Sequence, residues 1–162
     1  MADDIRQKIM DEIVVRFQTV TTANGYETNI GSNVNLWRPH NTSPFSGSDL
    51  DALNLKDTVA NAGSDDTPMG VSEYEMEIQA EAVTKDVAIP TDKKCRKMLA
   101  DLIKAIGTDR YFTVSGSRLV WDSRIVTSSI DVQQVGDIIG GCQLAFTVLF
   151  RINNFDPYTT RH

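Results

Sequence analysis

An α+β domain is what this sequence predicts: a mostly antiparallel β-sheet with two main helices packed on it. Residues Glu73 to Ala82 alternate, with Tyr74, Met76, Ile78, Ala80 and Ala82 on one side and Glu73, Glu75, Glu77, Gln79 and Glu81 on the other. That is the period of a strand with one apolar face on a core and one wet face. Two other segments, one near the N-terminus and one after Pro90, have helical periodicity instead. Strand-like runs frame these helices without repeating strand–helix alternation, which suits an antiparallel sheet with segregated helices better than parallel βαβ units.

From Asp3 to about Thr19, Ile5, Ile9, Ile13 and Phe17 recur at every fourth position, and Met10 and Val14 widen the stripe of an amphipathic helix. Asn24-Gly25 ends it or makes the following turn, since both residues tolerate positive φ. Tyr26 to Arg38 reads as one or two short strands, ending at Pro39 because the residue before a proline is pushed to extended conformations. Pro39–Asp49 is a polar loop, Leu50–Val59 a short strand and Ala60–Gly70 a second polar loop. Loops of this kind are where contacts with partners concentrate. In the alternating strand that follows, a one-residue slip would bury four carboxylates, so its register is tightly specified.

Pro90 opens the second helix, where its missing N–H costs nothing, and Gly107 closes it. Cys95, Met98, Leu99, Leu102, Ile103 and Ile106 form its buried stripe. The C-terminal third reads as three strands, Arg118–Val126, Thr127–Val135 and Gly141–Arg151. The last has Cys142, Leu144, Phe146, Val148 and Phe150 on one face. Its other face, Gln143, Ala145, Thr147, Leu149 and Arg151, is only partly polar and suits a covering helix.

A chain of 162 residues is one domain's worth, 1–162, long enough to bury about 70% of the surface its unfolded form exposes. Its net charge of −6 argues against general affinity for nucleic acid, which rests on Lys and Arg neutralising phosphates. Cys95 and Cys142 fall on apolar faces and read as small buried hydrophobes. The acidic N-terminus is not a secretory signal, so synthesis in the cytoplasm is expected. The most apolar run, Leu144–Phe150, is far shorter than the ~20 residues of a membrane helix. His40 stands in a polar loop and His162 at the terminus, and no phosphate-binding loop, nucleophile elbow, HExxH or CxxC pattern occurs. No catalytic residue, cofactor or metal is therefore expected.

The candidate contact residues are polar and aromatic. Lys93, Lys94, Arg96 and Lys97 crowd the first turns of the second helix, where the dipole disfavours cations. They form either a solvated face or a surface for an anionic partner, such as an acidic strand on a neighbouring subunit. Glu73, Glu75, Glu77 and Glu81 are either an ordinary wet face or a surface that repels an anion. Trp37-Arg38 and Trp121-Asp122 are core aromatics beside a charge, or interface anchors. Phe155 and Tyr158 lie in a tail that frays unless it docks on its own sheet or on another subunit.

In order, the segments Ile5–Met10, Gly25–Gly31 and Val34–Pro39, the alternating strand, the helix Arg96–Gly107 and the end Phe155–Tyr158 span nearly the whole chain. Together they resemble tail terminator (minor tail) proteins of long-tailed bacteriophages. The order and spacing of the segments carry the resemblance, since no single motif is a signature. It implies a homo-oligomeric ring, a hexamer, on the last ring of tail tube protein. The ring stops tube growth and presents a surface to a head-completion or neck protein. DNA passes through it without specific binding, and the protein resides in the virion at the head-proximal end of the tail. A head-to-tail joining protein of the same system and a monomeric, non-enzymatic binding module are the alternatives.

Overall fold

The computed structural model describes residues 4–37, 51–62, 70–85, 89–135 and 137–160. Helix α1 (Ile5–Gln18) starts at Asp4, whose carboxylate accepts the Gln7 N–H at 2.7 Å and so satisfies one of the free donors of the first turn. Ile5, Ile9, Met10, Ile13 and Phe17 are its buried stripe. A 3-10 turn at Thr22–Asn24 closes on Gly25 at φ 80°, where a side chain would be strained. Gly25 thus caps this extra turn rather than α1. A second 3-10 turn, Ile30–Ser32, leads into strand β1 (Val34–Leu36).

The rest of the chain is β2 (Asp51–Ala62), β3 (Val71–Thr84), helix α2 (Thr91–Gly107), the small hairpin β4 (Thr113–Val114) and β5 (Ser117–Arg118), then β6 (Asp122–Val135), β7 (Asp137–Asn153) and β8 (Asp156–Thr160). The main sheet has the order β1-β2-β3-β7-β6, with β8 added to β7 past the start of β6. β1 runs parallel to β2, and the other pairings are antiparallel. This is the expected α+β class.

One face of the sheet holds the core. Met76, Ile78, Ala80 and Ala82 of β3 are buried beside Leu53 and Leu55 of β2 and beside Cys142, Leu144, Phe146, Val148 and Phe150 of β7. Both helices lie over this face, α1 contributing Ile9, Ile13 and Phe17, α2 contributing Met98, Leu102, Ala105 and Ile106. The alternation of β3 therefore sets the register as expected, with its apolar side under the helices.

Several boundaries differ. The strands expected at Arg118–Val126 and Thr127–Val135 are one strand, β6, preceded by the hairpin that takes up Arg118. Its register shifts between Ile125 and Thr127. A bulge inserts an extra residue and breaks the two-residue period, which in sequence imitates a strand end. Ala60–Ala62 continue β2 past another bulge between Asp57 and Val59, so the second polar loop is shorter than its expected span. The Pro39–Asp49 loop, His40, residues 63–69 and His162 lie outside the described residues. Pro90 occupies the N-cap of α2 rather than its first turn, and Gly107 is the last helical residue, followed by Thr108 in right-handed geometry.

Cys95 and Cys142 are both free and buried. Burial pushes the Cys142 thiol up to about 12, helped by Cys95 nearby; burial, then the Asp92 carboxylate, raises Cys95. Only the thiolate reacts with disulfide reagents. At pH 8 the native protein should therefore resist an aromatic disulfide reagent that titrates both thiols once urea is added. Rapid labelling of the native form would contradict this.

Candidate functional site

The second face of the sheet has no helix over it among the described residues, contrary to the covering helix expected for β7. Side chains of neighbouring strands cover it instead. Glu73 stands opposite Arg151 on β7 and bonds its Nε at 2.7 Å. Glu75 reaches across β7 to Arg124 on β6 at 2.7 Å, and Arg124 also donates to Thr147 Oγ1 at 3.3 Å. On the other flank Lys56 of β2 bonds Glu81 at 2.7 Å. The hydrogen bond from Arg124 holds the Glu75 carboxyl below its usual range against the opposing effect of burial. Glu77 accepts Gln79 Nε2 at 3.1 Å and meets no cation among the described residues.

The acidic column is therefore not a bare solvated row. Side-chain exposures of 13% for Glu73, 37% for Glu75 and 26% for Glu81 place these groups within a lattice of in-chain ion pairs. Ion pairs open to solvent contribute little to stability. They neutralise the face more than they stabilise the fold. Arg151 also lies over the Trp121 ring at 4.1 Å, which joins the lattice to the exposed aromatic at the start of β6.

The basic turns of α2 do not form one surface. Successive helical residues point 100° apart, and each cation finds a different neighbour. Lys94 goes inward to Asp51 at the start of β2, at 2.9 Å, with both groups largely buried. Lys97 bonds Glu27 at 2.8 Å, Arg96 bonds Asp92 one turn back at 2.6 Å, and Lys93 is exposed. The expected patch of four cations is corrected on this point: Asp51, Glu27 and Asp92 are the counter-charges that favour cations at this helix start.

Trp37 sits just past β1 at φ 50°, 57% exposed, and donates its indole N–H to Asp57 at 2.7 Å, a carboxylate that also takes Arg6. Arg38 lies outside the described residues. The tail docks on its own sheet through β8, leaving Tyr158 half exposed and Phe155 fully exposed at φ 61° in the β7–β8 turn. Of the sequence-derived residues that are described, the structure brings Glu73, Glu75, Glu77 and Glu81 onto one face and scatters the others.

Sequence reasoning missed the sheet edges. β6 bonds β7 along one side, and no strand pairs with its other side among the described residues. Ile125, Val126, Ile130 and Val132 are exposed along it. Lys97, Asp101 and Lys104 bind the 25–28 segment, and on the opposite flank of α2 Leu99 is only half-buried and Ile103, expected in the buried stripe, is exposed, because Cys95, Met98, Leu102, Ala105 and Ile106 are the residues that face the sheet. At the far edge, β1 covers Leu53–Leu55 of β2, and no other strand among the described residues pairs there. The run of β-branched residues in β6 was the available signal.

Among the described residues no group of three or more His, Cys, Asp or Glu side chains is placed to hold a metal ion, and no helix is long and apolar enough to cross a membrane. Among the described residues the arrangement offers a polar sheet face whose carboxylates are mostly ion-paired and two dissimilar sheet edges. Compared with protein-family models and with curated proteins, the chain matches none.

Proposed function

We propose that this chain is a structural subunit of a long-tailed phage: a tail terminator that forms a ring on the end of the tail tube, halts its polymerisation and offers the head-joining surface. The order of segments suggests the family, and the two unlike sheet edges are the observation that carries the ring. Strands β2, β3, β7 and β6 alternate in direction. A copy rotated about an axis along the strands brings its β2 edge beside β6 with the two strands antiparallel. Such a contact uses a different patch on each side and repeats until it closes.

With the helices on one face, the polar face turns toward the axis of that ring. Its cations Lys56, Arg124 and Arg151 are held by Glu81, Glu75 and Glu73, so DNA passing it meets no row of free cations to hold its phosphates. The role needs no catalytic residue, cofactor or membrane.

Electron microscopy of particles lacking the protein tests the reading. Over-long tubes or tubes without heads are expected, while tails of normal, uniform length joined to heads would sink it. The edge contact is tested by Val126→Lys with Ile130→Lys, because lysine on an edge strand opposes strand addition. Both sites are exposed, where substitutions change stability by only about 0.5 kcal/mol. The double variant should keep its circular dichroism spectrum and fail to complement; full infectivity would refute the edge as the ring contact.

A further inference from the structure

Arg6, Arg96, Arg110, Arg124 and Arg151 each hold a carboxylate, and Arg16 holds Glu12 and Asp109. Arg118 differs: it forms no ion pair among the described residues, and its guanidinium lies 4.1 Å from the Tyr111 ring centre. Stacking fixes the plane of a guanidinium while leaving its N–H edge able to grip a carboxylate at two points. The residue is also held from behind. It ends β5 of the small hairpin, whose two turn residues, Ser115 at φ 50° and Gly116 at φ 83°, make the tight left-handed turn that matches strand twist.

Gly116, Ser117 and Arg118 of the hairpin, with Val120 and Trp121, line a cleft of about 350 Å³ that is open to solvent. Val120 is buried. Trp121 is fixed by its backbone N–H on the Leu149 carbonyl at 2.6 Å and by Arg151 against its ring. The cleft therefore has an apolar wall fixed by these contacts and one cation that meets no counter-charge among the described residues.

We propose that this cleft docks an acidic segment of a partner protein, which sets one carboxylate on Arg118 and a neighbouring apolar side chain against the exposed part of Trp121. The charge count selects this class of ligand. A nucleic-acid backbone is held by rows of cations, and the other arginines nearby, Arg110, Arg124 and Arg151, already carry Asp122, Glu75 and Glu73. Trp, Tyr and Arg are also the side chains that dominate protein–protein hot spots. The site does not depend on ring closure or on the tube.

The test follows the Trp121 indole N–H by NMR in the full chain, assigned by its loss in Trp121→Phe. The probes are acetyl-Glu-Phe-Glu-amide, its Gln-Phe-Gln counterpart and a thymidine oligonucleotide. The acidic peptide should shift the resonance saturably with a Kd of about 1 mM or tighter, less tightly in high salt. Arg118→Gln, or the neutral peptide, should weaken binding about tenfold or more. No saturable shift, equal binding by a folded Arg118→Gln variant, or tighter saturation by the oligonucleotide overturns the proposal.

Discussion

Alanine at position 31 is expected to destabilise the protein by ~3 kcal/mol or more, the upper end of what overpacking a core produces. Gly31 lies in the 3-10 turn that crosses the C-terminal end of α1, with its N–H on the Val20 carbonyl at 2.9 Å. A Cβ there would sit 2.8 Å from the Gln18 carbonyl oxygen, 2.9 Å from that of Val20 and closer still to that of Phe17. All three obstacles are backbone atoms at a helix end, so no rotamer change relieves them. Either the turn lifts off α1, exposing Ile30 and the end of the Phe17 stripe, or the last helical turn unwinds. Urea unfolding should show a midpoint far below wild type. Gly107→Ala is the control: nothing lies within 4 Å of its added methyl group, and removing a helical glycine should raise stability by up to about 1 kcal/mol. A wild-type midpoint for Gly31→Ala would show that the crossing is looser than described.

Asp101→Ala is expected to lose about 3 kcal/mol, because it strands several buried donors at once. The Asp101 carboxylate, 3% exposed, accepts the backbone N–H groups of Glu27 and Thr28 and the Thr28 hydroxyl, the last two at 2.8 and 2.7 Å. It is the clasp by which α2 holds the segment after α1. Truncation leaves these donors facing a cavity that apolar neighbours cannot satisfy. Asp101→Asn keeps one acceptor oxygen and should lose roughly half as much. Hydrogen exchange at Glu27 and Thr28 reads the clasp directly: both amides should exchange far faster in Asp101→Ala. Unchanged exchange would remove Asp101 from this role.

The fold was legible wherever one side chain in two or in four is apolar and goes to the core. Ile5, Ile9, Ile13 and Phe17 marked α1, and Met76, Ile78 and Ala80 marked the face and register of β3, because burial alone fixes those periods. Bulges were not legible. Val126 in β6 and the shift after Asp57 in β2 alter the period without a glycine or proline to announce them. The candidate site was half legible for a related reason. The spacing of Glu73, Glu75, Glu77 and Glu81 shows that they share a face. Their counter-ions, Lys56, Arg124 and Arg151, stand on three other strands, and their placement depends on pairings between distant segments. Lys94 shows the same limit, since the acid that draws it inward, Asp51, lies 43 positions away by residue number.

The lattice on the open face also sets how far the protein's charge is felt. A lone carboxylate projects a field that salt attenuates over about 8–10 Å. A carboxylate bonded to a guanidinium or ammonium group is a dipole, whose field falls off faster with distance. Seen from a few water layers away, Glu73, Glu75 and Glu81 therefore largely cancel against their partners, and Glu77 stands out as the monopole of the column. At that distance the face acts as one carboxylate rather than as a column of four.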